Sequence, residues 1–247
     1  MDATIKQLEV LQKMIRLDKY LTMCGVESRS VAKKCIRRGY VTVNDIEIRD
    51  DDVKIDENHD KVVFDGEPLT FKKNIYIVMN KPKDCICTTE EEEGRGRIVS
   101  DYLDDFLRSR ELFTIGRLDK DTEGLLLLTD DGDFCHKVIS PKKHVPKKYY
   151  AEIVGQISDR EIAALSKGVK IGDYTTLPAV IKRVGEQALE ITINEGKYHQ
   201  IKLMLESIGN RVTFLKRISI GNFILPELEP GEYREMTVEE LNMVLGK

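Results

Sequence analysis

The chain has 247 residues, of which 41% are hydrophobic and 33% charged, so it is long enough to bury one large core or two smaller ones. It contains no run of about 18 apolar residues that would predict a membrane span, and its start lacks the apolar core of a signal peptide. Its five scattered cysteines favour a reducing compartment over a disulfide framework. We therefore expect a cytoplasmic protein that does not bind membranes.

The formal net charge of −4 argues against a generally basic nucleic-acid binder, but the charges are segregated along the chain. Residues 13–43 carry eight cations and two anions, a balance of +6, whereas residues 44–60 have a balance of −6. Residues 134–150 hold five lysines and no acid. Such segregation is typical of local contact with a polyanion.

The basic stretch predicts a small helix followed by a hairpin. Residues 1–14 are predicted to form a short helical extension that precedes it. Ser28 is a suitable N-cap, and Gly39 is a suitable stop for the helix between them. The chain then alternates apolar and polar residues on both sides of an Asn44–Asp45 turn. On the residues alone, an ordinary amphipathic helix with a solvated basic side explains this pattern equally well.

The motif that decides between these interpretations runs from Arg16 to Asn44: RLDKYL, then SR, then a helix ending in glycine, then VTVN. It resembles the RNA-binding domain named after ribosomal protein S-four. The resemblance implies an α/β module over residues 15–61. The residues after it begin with a strand-like piece and contain an Asp-Gly turn and a proline, so they are interpreted as the end of the last strand of the module followed by a linker, with the linker assigned to residues 62–72. The resemblance also implies binding to structured RNA through phosphate contacts made by Arg16, Arg29, Lys33, Arg37 and Arg38.

A second domain is predicted over residues 73–247, and its most unusual stretch is GRLDKDTEGLLLLTDDG, residues 116–132. Four consecutive leucines predict a buried strand, yet a cluster of charged residues stands directly before them. A solvated turn explains the charges, and so does a catalytic carboxylate held on a rigid strand. By its chemistry, Asp119 could serve as a nucleophile, a base or an ion-pair partner.

Four blocks in this domain resemble, in the same order, the RsuA/RluB/RluE/RluF family of pseudouridine synthases. They are MNKPKDCICTT (79–89, with Asp84 where glycine is usual), GRLDKDTEGLLLLTDDG, SPKKHVPKKYYAEI (140–153) and NEGKYHQIKLMLESIGNRVTFLKRISIG (194–221). The resemblance implies the isomerisation of a uridine to pseudouridine in RNA without a cofactor. It also implies three catalytic residues: Asp119 as the catalyst, Lys202 as its cationic partner, and Tyr149 as the ring that stacks on uracil.

The same resemblance implies further contacts with RNA. Arg117 matches the residue that some relatives insert into the space left by the extruded base, although an exposed ion pair with Asp121 or Glu123 would also explain it. Arg217 is expected to contact a phosphate or form a wall of the site, and Lys147 is expected to contact RNA. His199 is interpreted as structural. No metal ligands are predicted.

The implied fold is α+β, a mixed and largely antiparallel sheet with flanking helices, preceded by the small α/β module. The expected partner is ribosomal RNA or a ribosomal-subunit assembly intermediate. Within the family the chain looks most like the RsuA-type enzymes, which act on small-subunit ribosomal RNA. The protein is expected to be a monomer. The alternatives are a large-subunit target of the RluB/RluF branch, a non-catalytic assembly factor, and a metal-dependent nuclease that would use Asp119, Asp121 and Asp130.

Overall fold

The computed structural model describes residues 14–57, 59–69, 72–88, 96–140 and 143–247. The chain divides between Lys73 and Asn74 into two compact units. The predicted helical extension, residues 1–14, lies outside the described residues except for Met14, which begins a strand. Among the described helices, none is long and apolar enough to cross a membrane.

The first unit packs two helices and six short strands around one small core. Its helices are α1 (Leu17–Met23) and α2 (Arg29–Arg37). Its strands are β1 (Met14–Arg16), β2 (Val41–Val43), β3 (Ile46–Ile48), β4 (Lys54–Asp56), β5 (Val62–Phe64) and β6 (Glu67–Pro68). Strand β1 pairs with β4, and the other four strands form a sheet in the order β3-β2-β5-β6.

The predicted cap and hairpin of this unit are both present. The Val31 amide donates a hydrogen bond of 3.3 Å to the Ser28 hydroxyl, which caps α2. Asn44 and Asp45 have φ values of 53° and 63°, as a two-residue type I′ hairpin turn requires. The predicted linker at residues 62–72 is wrong in its first part, because β5 pairs with β2 and β6 pairs with β5. The register of the hydrogen bonds makes these strands part of the sheet.

The second unit is built around a nine-stranded mixed sheet. The strands of this unit are β7 (Tyr76–Lys81), β8 (Phe113–Thr114), β9 (Glu123–Thr129), β10 (Lys147–Ile153), β11 (Lys170–Ile171), β12 (Tyr174–Thr175), β13 (Val180–Gly185), β14 (Ala188–Ile193), β15 (Val212–Ile220), β16 (Phe223–Ile224) and β17 (Tyr233–Glu235). Strands β11 and β12 pair with each other in a separate two-stranded sheet. Its helices are α3 (Asp105–Ser109), α4 (Gly132–Ile139), α5 (Asp159–Lys167), α6 (Gln200–Glu206) and α7 (Val238–Val244).

The strand order in this sheet is β13-β14-β10-β15-β9-β7-β17, with β16 paired to β15 and β8 to β9. Among the described strands of the sheet, every pairing is antiparallel except that of β9 with β15. The predicted fold class, a mixed and largely antiparallel α+β domain, is confirmed.

The run of four leucines, Leu125–Leu128, forms the middle of β9 and is completely buried. Leu126 and Leu128 belong to one hydrophobic cluster, whereas Leu125 and Leu127 belong to another. Successive side chains of a strand point to opposite faces, so both faces of the sheet are covered here. Each buried leucine contributes about 1.5–3 kcal/mol, which makes β9 a rigid support for the residues that precede it.

Candidate active site

A charged turn lies directly before the buried strand β9. The Thr122 amide donates a hydrogen bond of 3.1 Å to the Asp119 carbonyl and closes this turn. Gly124 then allows β9 to approach β15 closely, since its φ is +100° and a Cβ atom there would lie 2.3 Å from the Arg217 carbonyl oxygen. The position of the Asp119 turn therefore depends on the parallel pairing of two buried strands.

Both carboxylate oxygens of Asp119 have a neighbour. Lys202 Nζ lies 2.9 Å from Oδ2, and His199 Nε2 lies 3.4 Å from Oδ1. Lys202 belongs to α6, and His199 precedes that helix in a left-handed conformation with φ of 49°. The Asp119 side chain remains 27% exposed, so it is held in place and still open to a ligand.

Lys202 is shared between two carboxylates, because its Nζ also lies 2.6 Å from Asp121 Oδ1. Burial would lower the pKa of Lys202, but the hydrogen bonds and charges of Asp121 and Asp119 outweigh it and raise that pKa. Burial would likewise raise the pKa of Asp121, but its hydrogen bond with Lys202 prevails and lowers it. Lys202 and Asp121 are therefore both ionised at neutral pH.

Tyr149 lies in the same cleft. It sits on β10 between β14 and β15, and only 8% of it is exposed. A small cavity of about 70 Å³ is lined by Arg117, Asp119, Tyr149, His199 and Lys202, among others. The structure thus brings together the three residues predicted to be catalytic, although they come from distant parts of the chain.

A second cavity of about 460 Å³ shares Arg117 and Tyr149 with the first. Arg117 is exposed, and within the described residues it forms no ion pair with Asp121 or Glu123. Lys147 lines this cavity and donates a hydrogen bond of 2.8 Å to the Val145 carbonyl. Burial, and then the charge of a nearby arginine, lower the pKa of Lys147 to about 8.

That arginine is Arg217, and its burial bears on the two roles predicted for it, a phosphate contact or a wall of the site. Only 3% of Arg217 is exposed, and its Nε donates a hydrogen bond of 2.7 Å to the Leu125 carbonyl. Its Nη2 is buried and has no hydrogen-bond partner among the described residues. Arg217 also lines the second cavity. A side chain this deeply buried fits the predicted role of a wall of the site better than the predicted phosphate contact at the surface.

The three aspartates of the nuclease alternative do not converge. Asp119 and Asp121 share Lys202 before β9, whereas Asp130 follows the far end of β9. Asp130 forms an ion pair with Arg110 and accepts a hydrogen bond of 2.9 Å from the Ile75 amide. In the part of the chain that the structure describes, no group of histidine, cysteine, aspartate or glutamate side chains has the arrangement of a metal site.

Three of the five predicted phosphate-binding cations of the first unit, Arg16, Arg29 and Lys33, lie within 4 Å of a buried acid, Asp18. Asp18 lies 3.1 Å from Arg16 and 3.2 Å from Arg29. Burial would raise the pKa of Asp18, but the hydrogen bonds from these two arginines outweigh it and lower the pKa. This ion-pair cluster holds α1 and α2 together, a structural task that the sequence pattern did not reveal.

The acidic stretch of the first unit folds back onto its basic helix. Asp51 lies 3.0 Å from Arg37 and 3.7 Å from Lys33, and Asp52 lies 2.6 Å from Arg16. The segregated charges of the sequence are therefore partly neutralised in the folded unit. Arg38, the C-cap of α2, is exposed and forms no ion pair with any described residue.

Comparison with known proteins shows which family the chain belongs to. The model of a family described as RNA pseudouridylate synthase matches residues 75–207. An uncharacterised RNA pseudouridine synthase of Bacillus subtilis is 43% identical, over 93% of this chain and 98% of its own length. The ribosomal small subunit pseudouridine synthase A of Escherichia coli is 36% identical, over 94% of this chain and all of its own.

A crystal structure of a pseudouridylate synthase superimposes with a TM-score of 0.66 at 35% identity, covering 93% of this chain and 99% of that one. The chain belongs to the RNA pseudouridylate synthase family. It is an isomerase that converts uridine to pseudouridine in RNA. The family match begins at residue 75, after the boundary between the two units, and so does not extend to the first unit.

Proposed function

We propose that this enzyme isomerises one uridine of small-subunit ribosomal RNA in the cytoplasm, with Asp119 as its catalyst. The observation that carries this proposal is the Asp119–Lys202 pair, 2.9 Å apart, beside Tyr149 in one cleft. The assignment to the small subunit is supported by relatives of that name, which match nearly the whole chain at 35–36% identity.

The chemistry moves a base without oxidising it. The bond between ribose C1′ and uracil N1 breaks, the base turns, C1′ bonds to C5, C5 loses its proton and N1 gains one. Asp119 supplies a carboxylate that Lys202 contacts and orients, whether that carboxylate adds to the sugar or removes a proton. Tyr149 offers a buried aromatic face on which the uracil ring stacks while it turns.

The target uridine has to leave its stack before it can enter this cleft, at a cost of a few kcal/mol. Arg117 is exposed at the boundary of the two cavities and is the side chain placed to fill the space that the base leaves. Lys147 lines the larger cavity without an acidic partner among the described residues, and supplies positive charge for the RNA backbone there.

The first unit supplies affinity for structured RNA. Arg29, Arg37 and Arg38 have exposed side chains on α2 and its C-cap, and Arg16 and Lys33 lie beside Arg29 around one open depression. Phosphate groups can replace Asp51 and Asp52 as partners of these cations at modest cost, because exposed ion pairs contribute at most about 1 kcal/mol each.

The test is pseudouridine mapping of total ribosomal RNA from cells with and without the gene. We expect one pseudouridine of the small-subunit RNA to be lost, to return with the intact gene, and to stay absent with Asp119→Asn. Loss of a pseudouridine from large-subunit RNA instead would show that the target uridine lies in the large subunit. Unchanged ribosomal pseudouridines together with defective subunit assembly would favour the non-catalytic assembly factor.

A further inference from the structure

One aromatic side chain at the active site is turned toward solvent. Tyr198 is 73% exposed, more than any other large hydrophobic side chain in the described parts of the chain. It lies between β14 and α6, next to Lys197 and His199. Lys197 and His199 both line the cavity that contains Asp119. A large exposed ring at this position gains nothing from the protein core, so a ligand is its natural partner.

The Tyr198 ring is already held in one orientation. It stacks on the His199 ring with their centroids 3.8 Å apart and an angle of 16° between the planes. His199 Nε2 in turn lies 3.4 Å from Asp119 Oδ1. One face of the Tyr198 ring is therefore covered by the His199 imidazole, and the other face is open to solvent. The His199 ring lies between Tyr198 and Asp119.

The chemistry around this open face fits a nucleobase. Lys197 and Arg117 are cationic groups that line both cavities, and they attract a phosphate backbone. An exposed aromatic ring beside such cations is the usual means of holding an unpaired base. Tyr149, which is buried, is already assigned to the target uracil. We propose that Tyr198 stacks on the base of the nucleotide next to the target uridine, an inference that rests on the proposed function of the cleft.

The first test uses the absence of tryptophan from this chain. Tyr198→Trp places a single tryptophan at the proposed contact, and its emission can be excited separately from that of the tyrosines. One probe is a short oligouridylate, and the other is an oligomer of equal length whose single uridine is flanked by abasic ribose phosphates. We expect the first to quench tryptophan emission and the second to bind without quenching. Ile224→Trp, at a site 69% exposed that lines a different cavity, is the control and should not respond.

The second test measures affinity. Tyr198→Ala should weaken binding of the oligouridylate about 5- to 150-fold, the equivalent of about 1–3 kcal/mol for one stacked base. It should leave the affinity for the abasic-flanked oligomer unchanged, and Tyr198→Phe should bind both probes like the parent. Absence of quenching, or equal affinities of Tyr198→Ala and the parent for the oligouridylate, would overturn the proposal.

These measurements need neither ribosomal RNA nor turnover, so they are independent of the mapping experiment. If quenching is seen but no ribosomal pseudouridine depends on the gene, the target assignment fails and the stacking site stands. If Tyr198→Ala slows pseudouridine formation at unchanged affinity, the ring serves only to hold His199, and the stacking proposal is wrong.

Discussion

Asp119 differs from the other acids of its turn in what surrounds its two oxygens. Lys202 contacts one and His199 the other, so the carboxylate has a fixed direction as well as a charge. Asp119→Asn keeps the size of the side chain but removes its charge and its nucleophilic oxygen. We expect single-turnover pseudouridine formation at saturating enzyme to disappear, while RNA affinity and the unfolding midpoint stay near those of the parent.

The matched control is Asp173→Asn, an exposed aspartate between β11 and β12 that lines neither cavity of the site. It should retain full activity. Appreciable product from Asp119→Asn under the same conditions would show that Asp119 is a solvated turn residue and not the catalyst.

Asp121 sets the charge of Lys202 together with Asp119. Asp121→Asn removes the nearer of the two carboxylates, so the pKa of Lys202 should fall toward its ordinary value. Lys202 stays protonated at neutral pH beside Asp119, and we expect no more than about a tenfold loss of rate there, the equivalent of about 1.4 kcal/mol. The loss of activity at alkaline pH should begin at a lower pH. A pH–rate profile superimposable on that of the parent would show that Asp121 has no such influence.

Lys147 makes stability depend on pH. Its pKa is about 8 in the folded protein and about 10.5 when unfolded, so between these values the unfolded state binds more protons. Stability then rises with pH over this range, while below pH 8 the folded protein carries a half-buried charge. Lys147→Met should raise the melting temperature at pH 7 and remove this contribution. Melting temperatures of the parent and of Lys147→Met from pH 7 to 10 measure the contribution of Lys147. Parallel pH dependences of the two melting temperatures would contradict this prediction.

At the residue scale, the sequence motifs predicted which side chains form the site, but they did not predict all the contacts of those side chains. Asp119, Tyr149 and Lys202 lie in one cleft, as the resemblance implied. The contacts of Asp121 with Lys202 and of His199 with Asp119 were not predicted, because they depend on the distance between the β9 turn and α6, which no local pattern encodes. Asp84 replaces the glycine usual at its position and still adopts φ of 59°, a conformation that aspartate tolerates better than most residues.

At the scale of elements, the close approach of β9 and β15 positions the turn that contains Asp119. Gly124→Ala would place a Cβ atom 2.3 Å from backbone at a φ of +100°. We expect a loss of more than about 3 kcal/mol in unfolding free energy and a loss of activity, because the strands would have to separate. Urea denaturation measures the unfolding free energy, and single-turnover assays measure the activity.

The control is Gly132→Ala at the start of α4, where nothing lies within 4 Å of the added methyl group. This change should be neutral or stabilise by up to about 1 kcal/mol. Equal stabilities of the two variants would show that the sheet accommodates a side chain at Gly124.

The sequence predicted the elements better than their boundaries. The leucine run was readable as a buried strand because four apolar residues in a row leave no polar face. The strands at residues 62–68 were assigned in part to a linker, because their Asp-Gly turn and proline also suit a connection. Only the pairing of β5 with β2, and of β6 with β5, distinguishes the edge of a sheet from a loop.

At the scale of the whole molecule, the two units should separate affinity from chemistry. A protein beginning at Asn74 keeps the second unit and its core intact. It should bind target RNA more weakly and with a shallower salt dependence, since each lost phosphate contact removes about 0.7–0.9 from the slope of log K against log salt. Binding titrations at several salt concentrations measure this, and an unchanged slope would contradict the division of roles.

A full-length control avoids any question of folding. Replacing Arg37 and Arg38 together by glutamine removes exposed cations while leaving the contacts of buried Asp18 with Arg16 and Arg29. It should reproduce the shallower slope. The sequence overestimated the free positive charge of this unit, because counting along the chain cannot show that Asp51 pairs with Arg37 of α2 and Asp52 with Arg16 of β1.

The parallel pairing of β9 with β15 also orders events in time. Gly124 meets Arg217 across this pairing, so the catalytic cleft cannot close until the chain beyond residue 217 has left the ribosome. The first unit needs no residue beyond Lys73 and can fold as soon as it emerges. On the proposed division of roles, each nascent molecule gains the ability to hold RNA well before it gains the ability to change it.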